Sequence, residues 1–273
     1  MPSRRPPRSR QEAAPPLRAR FYTLKKVVAR IICSPIVGRL VSAAFRDQVP
    51  SRGVRIDTSS PSVLPSIKAS LFWGIYESAE MRFVKSYLRR DLDVVELGSS
   101  LGVVSAQIAR LIAPSRTLIC VEANPDLISV IEKNVRQNCA LARNRIVHGA
   151  LSYDRGEKQS HVAFALNADN TTSCLAGGEA GGEVVQVPAL TLEELLKDHG
   201  IGEFALVSDV EGAEIGFIEN DGGLSLCRQL IIELHETTWR GRHFTVEKMR
   251  KTLEQRHGFR TRAQHGPVFV FEK

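Results

Sequence analysis

From about residue 91 the chain alternates between two apolar rhythms. Short, nearly unbroken apolar runs occur at Val94–Leu97, Thr117–Val121, Ile146–Val147, Phe204–Val210 and Leu230–Leu234. Between them lie stretches with apolar residues at helical spacing: Leu101–Ile112, Pro125 to Asn138, Thr191–Lys197 and Ala213–Glu219. Fully buried strands read as continuous apolar runs, and surface helices show a 3.6-residue stripe. The alternation therefore predicts an α/β domain with a doubly wound, mostly parallel sheet. Pro125 suits a first helical turn, and Thr191 with Glu194 three residues on forms a capping box. A helix over Val246–His257, then Gly258–Arg262 and Val268–Glu272 around His265-Gly266-Pro267, predicts a closing antiparallel hairpin. Residues 156–188 break the rhythm and read as extended pieces around a loop holding Gly177, Gly178, Gly181 and Gly182.

The first 90 residues have a different character. Residues 1–20 combine six Arg with five Pro and almost no apolar side chain, so they are expected to be a disordered basic tail. Residues 21–70 form a basic amphipathic extension, and 71–273 the main domain. Phe21–Phe45 is apolar but broken by Lys25, Lys26, Arg30, Arg39 and Pro35, unlike a membrane span of about 20 uncharged residues. Two short helices are expected there, packed on the domain or lying peripherally on an anionic bilayer. An Arg-rich start also resembles a transit peptide, but the prolines oppose that reading.

Charge sharpens the division. The formal charge is +7, but residues 1–55 hold 13 Lys and Arg against 2 acids, leaving the rest mildly acidic. A nucleic-acid groove needs clustered cations on its face, so no nucleic-acid partner is expected for the body. Five scattered cysteines with no C-x-x-C spacing signal neither a disulfide framework nor a zinc site, and fit a reducing, cytoplasmic setting.

Ligands of open α/β sheets bind beyond the carboxyl ends of the strands, so residues just after each strand are the candidates. The first candidate is Glu96-Leu97-Gly98-Ser99-Ser100-Leu101-Gly102. Gly98 and Gly102 would let backbone approach a ligand, and the next helix offers free N–H groups. A tight strand-to-helix turn without a ligand is the plainer reading. The G-x-x-x-G spacing departs from the G-x-G-x-x-G of nicotinamide enzymes, making an oxidoreductase the weaker alternative. The second is Glu122, which follows the second strand and could accept both ribose hydroxyls of an adenosine, or else be a solvated loop acid. The third is Asp209-Val210-Glu211-Gly212-Ala213-Glu214, where crowded carboxylates need water, a cation or a substrate proton, although one could simply cap the next helix. The fourth is Glu233-Leu234-His235-Glu236, in which His235 could act as a general base or be an ordinary packed histidine.

The ordered set VVELGSSLG, VEANP, VSDVEGAE and IIELHE resembles the FkbM family of methyltransferases, over roughly residues 71–236. Gly74-Ile75-Tyr76-Glu77 and the stretch from Val187 to Leu196 also resemble family features. Many members carry Asp and Ala-Asn where this loop has Glu96 and Ser99-Ser100. The resemblance implies a Rossmann-like class I methyltransferase: a mostly parallel seven-stranded sheet with helices on both faces and a C-terminal antiparallel hairpin. It further implies S-adenosyl-L-methionine as cofactor and O-methylation of a sugar, glycan or other natural-product hydroxyl. Carried over by position, Glu96, Gly98, Ser100, Gly102 and Glu122 hold the cofactor, and Asp209, Glu211 and His235 face the acceptor. The acid cluster would admit a divalent metal, but no ligand spacing specifies one. Acceptor contacts are expected from Trp73–Glu77, the 167–183 stretch and Thr237–Phe244, with Trp239, Arg240 and Arg242 as a clamp. A silent binding or scaffold protein of the same fold, held to a membrane by its basic arm, is the alternative from another class.

Overall fold

Val94 and Val95 are adjacent in sequence and both fully buried, but they point into different cores. That is the signature of a strand covered on both faces. The computed structural model describes residues 29–139, 143–153, 160–166, 174–175, 183–220 and 222–273. The tail expected over 1–20 and the glycines at 177, 178, 181 and 182 lie outside the described residues.

Seven strands build the main sheet: β1 (Asp93–Leu97), β2 (Thr117–Glu122), β3 (Arg143–His148), β4 (Phe204–Ser208), β5 (Cys227–Glu233), β6 (Arg260–His265) and β7 (Val268–Glu272). Their spatial order is β6-β7-β5-β4-β1-β2-β3. β1 to β5 run parallel to one another, while β7 runs antiparallel to both β5 and β6. The chain winds outward from β1 to β3, then returns to β4 on the other side of β1. The carboxyl ends of β1 and β4 therefore meet at the switch point, where open sheets form their ligand crevice.

Helices cover both faces. On one lie α1 (Pro35–Phe45), α2 (Pro65–Phe72), α3 (Ser78–Tyr87), α4 (Val103–Leu111) and α5 (Pro125–Asn138). On the other lie α6 (Leu192–His199), α7 (Glu214–Asn220) and α8 (Val246–Gln255). The predicted capping box holds: the Thr191 side chain and Glu194 close the start of α6. Pro35 stands in the first turn of α1 behind the Ser34 cap, which explains the break at that proline. No described helix is long and apolar enough to cross a membrane.

The boundary expected near residue 70 does not separate two cores. Val41, Val49, Val54, Ile56 and Ile67 pack into the same cluster as Val94, Leu101 and Ile108. Val49 and Ile56 belong to a hairpin, Gln48–Ser51 against Val54–Asp57, whose Arg52-Gly53 turn has positive φ at both positions. Buried Asn134 of α5 ties this hairpin to the glycine loop. It accepts the Asp57 N–H at 2.7 Å and donates to the Leu101 carbonyl at 2.9 Å. Outside the main sheet, His161–Leu166 pairs antiparallel with Glu183–Leu190, the extended pieces foreseen between 156 and 188. β4 stops at Ser208, two residues short of the expected Val210, and the Asp209 N–H makes the last rung to β1 at the Leu97 carbonyl. β3 is longer than its apolar pair suggests, its polar residues being half-exposed at the sheet edge.

Replacing Asn134 with Leu leaves a buried N–H and carbonyl unpaired. The expected result is a loss of about 2–3 kcal/mol in urea unfolding, and a loss under about 0.5 kcal/mol would contradict the brace.

Candidate active site

The loop after β1 is shaped by backbone contacts. Gly98 has φ +82°, and a Cβ there would come within 1.9 Å of the Asp209 carbonyl oxygen. Gly102 has φ +72°, and a Cβ would lie 3.1 Å from Ile131 Cα. The two glycines thus let the loop close against the end of β4 and against α5. Gly98 also lines the pocket, and Gly102 stands behind it.

Glu96 is likewise placed behind the loop. It is 2% exposed and accepts the Ser99 hydroxyl at 3.1 Å and the Ser105 hydroxyl. Burial pushes its carboxyl up to about 7. Its visible work is to hold the loop, and it is not among the pocket-lining residues.

Ser100 and Glu122 do line the pocket. The Ser100 N–H donates to Glu122 Oε2 at 2.8 Å, and the Asn124 N–H to Oε1 at 2.8 Å. Burial raises the Glu122 carboxyl, and these backbone donors oppose the shift. The Ala123 N–H is a third backbone donor to this carboxylate, which leaves acceptor capacity on only part of it. The Ser100 hydroxyl pairs with the Tyr76 hydroxyl at 2.8 Å.

The pocket takes in about 830 Å³ of atom-free space, part of it open solvent. Ala150, Leu151 and Phe164 form an apolar wall, while Glu77, Asp209 and Glu211 supply carboxylates. Sequence reasoning did not assign Tyr76, Glu77 or Phe164 to the cofactor wall. Tyr76 and Glu77 stood among the expected acceptor contacts, and Phe164 lay in the segment without a clear period.

Asp209 and Glu211 lead from this wall to His235, two residues past the end of β5. His235 Nδ1 lies 3.0 Å from Glu214 Oε1, and Nε2 lies 3.5 Å from Glu211, 3.7 Å from Glu233 and 3.8 Å from Asp209. The three expected catalytic residues are therefore brought together, with Glu233 and Glu214 added. Burial alone would lower the imidazole, but the Glu214 hydrogen bond and the surrounding carboxylates outweigh it and push His235 up to about 9. Burial and neighbouring acids push Asp209 to about 7, against the pull of His235. Burial, contact with Glu80 and the charge of Asp209 push Glu233 to about 8. That shift favours the protonated imidazole in the ligand-free chain.

The Thr237–Trp239 and Arg242–Phe244 hairpin holds the expected clamp residues. Arg240 stacks 4.2 Å from the Trp239 ring centroid and donates to the Tyr153 carbonyl at 3.0 Å. These residues do not line the pocket.

The site suits S-adenosylmethionine in charge and lining. The ligand's adenine suits the apolar wall, its ribose diol the remaining acceptor capacity of Glu122, and its sulfonium and ammonium the carboxylates of Glu77, Asp209 and Glu211. Sheet order and pocket together suit an S-adenosylmethionine-dependent methyltransferase. Residues 102–261 match the FkbM methyltransferase domain, and the chain belongs to that family. No curated protein matches the chain. Among solved structures it is similar to a precorrin-6y C5,15-methyltransferase from Geobacter metallireducens GS-15, at 14% identity and TM-score 0.40, over 71% of this chain and 86% of that one. It is also similar to a putative methyltransferase from Pseudomonas syringae, at 12% identity and TM-score 0.38, over 72% and 96%.

Asp209, Glu233, Glu96 and His235 all have folded-state pKa values above their ordinary ones. The folded chain therefore binds more protons than the unfolded chain, and the resulting stability, full below about pH 4, is lost as pH rises through 7 to 9. In buffer containing a chelator, the melting temperature is expected to be at least about 5 °C lower at pH 9 than at pH 5.5. A flat or rising profile would contradict the burial of these groups.

Proposed function

We propose that the chain transfers the methyl group of S-adenosylmethionine to a hydroxyl of a sugar, glycan or other natural product. The observation that carries this reading is the position of Asp209. It lines the cofactor pocket and belongs to the His235 cluster, with a carboxyl pushed up to about 7. An alcohol acceptor must lose a proton as it attacks, and a base works best with a pKa near the working pH. The sulfonium supplies an activated methyl group, so the chain's own task is to orient and deprotonate the acceptor.

In this reading Glu122 holds the ribose and Ser100 fixes the Glu122 carboxylate. The acceptor oxygen lies between the methyl carbon and Asp209. As that oxygen bonds the methyl carbon, its proton passes to Asp209, and sulfur keeps the electron pair of the broken C–S bond. The His235 imidazolium offsets the charge gathered by Glu211, Glu214 and Glu233. The several carboxylates suit a polyhydroxyl acceptor, since each can accept a hydrogen bond from a neighbouring hydroxyl.

Transfer of labelled methyl into a cell extract, followed by identification of the product, is expected to yield a methyl ether. On that acceptor Asp209→Asn is expected to lower kcat at least about 100-fold, with S-adenosylmethionine affinity within about threefold of the parent. Full turnover by Asp209→Asn would overturn the role of Asp209, and a labelled amine or carbon product would overturn the hydroxyl acceptor.

A further inference from the structure

His235 presents Nε2 to three carboxylate oxygens, at 3.5 Å from Glu211, 3.7 Å from Glu233 and 3.8 Å from Asp209. These gaps are too long for hydrogen bonds. They are close to the separation of ligand atoms around one ion, about 3.0–3.5 Å for bonds of about 2.1 Å. Among the described residues, Asp209, Glu233 and His235 each offer a ligand atom, and all of those atoms lie within 4.8 Å of one another.

Three further observations point to a ligand. The first is the orientation of the ring: Nδ1 faces the fully buried Glu214 at 3.0 Å, and Glu214 also accepts the Val210 N–H. A carboxylate on Nδ1–H orients the ring so that Nε2 faces outward, the usual support of a metal-bound imidazole, and an ion arriving there takes the place of the Nε2 proton. The second is Glu80, only 6% exposed, whose Oε1 has no hydrogen-bond partner and whose carboxyl lies against Glu233. The third is Asp209 Oδ1, which is buried and also lacks a hydrogen-bond partner. Buried carboxylate oxygens left in this state are costly unless a cation or proton meets them.

We propose that Asp209, Glu233 and His235 ligate one divalent cation, with Glu214 as the positioning residue behind His235. Two carboxylates and one imidazole suit Mn²⁺ among common divalent ions. Ion binding does not depend on the transferase reading, but its effect on turnover rests on it. Asp209 and Glu211 share the pocket wall, so an acceptor hydroxyl can reach the ion while facing the methyl group. A hydroxyl on a divalent ion gives up its proton more readily. With the ion bound, Asp209 serves as its ligand, and Glu211 takes the proton that Asp209 takes in the ion-free chain. The oxygen then bonds the methyl carbon, and sulfur keeps the C–S electron pair.

The test is a Mn²⁺ titration of the chelator-stripped full chain, following loss of the free-ion spin-resonance signal. About one ion per chain is expected. Asp209→Asn and Glu233→Gln should each weaken binding at least tenfold while keeping the parent circular dichroism, and Glu247→Gln on the exposed face of α8 should leave it unchanged. Failure of the folded parent to bind, or parent-like binding in both site variants, would overturn the proposal. Methyl transfer that persists in chelator would also overturn the ion's part in turnover and leave the transferase reading standing. Ion binding without transfer to any hydroxyl would do the reverse.

Discussion

The close meeting of β1 and β4 at their carboxyl ends governs the rest of the site. Gly98 comes so near the Asp209 carbonyl that a Cβ would stand 1.9 Å from it, and the Asp209 N–H bonds the Leu97 carbonyl at 3.0 Å. Only glycine satisfies both the φ of +82° and that approach. Because the two strand ends are locked together there, the cofactor loop and the acid-rich turn after β4 share one pocket wall. A bulkier residue at 98 would push apart the group that binds the donor and the group that faces the acceptor.

The cost of this arrangement is electrostatic. Glu77, Glu96, Glu122, Asp209 and Glu233 all have raised carboxyl pKa values, with burial the largest cause in each. Burying like charges together opposes folding unless protons, cations or hydrogen bonds compensate. For Glu96 the compensation is internal, through Ser99 and Ser105, and the result is a rigid loop. For Glu122 it is backbone N–H groups, which aim the carboxylate at the pocket. Asp209 and Glu233 have His235 alone within salt-bridge reach among the described residues, and this incomplete compensation makes their corner of the site chemically available.

Much of the parallel sheet was legible because its strands are buried on both faces and so read as plain apolar runs. The α5 and α6 boundaries followed from Pro125 and from the Thr191–Glu194 box. The hairpin over residues 48–57 was not legible: its alternation is short, and its turn uses Arg52-Gly53 in place of a more usual Asn-Gly or Asp-Gly pair. Glu122, Ser100, Asp209 and Glu211, singled out because strand ends at a switch point are privileged positions, do line the pocket. Glu96 and Gly102, carried over by position from the family resemblance, stand behind the loop, and position in sequence does not tell its front from its back. Glu80 and Glu77 stand three apart around the start of α3, and only the packing of that helix against β5 and β7 brings them to the cluster. No local pattern records that.

The central claim is that one pocket wall binds the methyl donor and presents its sulfur to the Asp209 corner. A crystal structure of the chain with S-adenosylhomocysteine tests it most directly. The account predicts both ribose hydroxyls on the Glu122 carboxylate, adenine against Phe164 and Ala150, and sulfur facing Asp209. A ligand bound away from Glu122, or with its sulfur turned from Asp209, would contradict it.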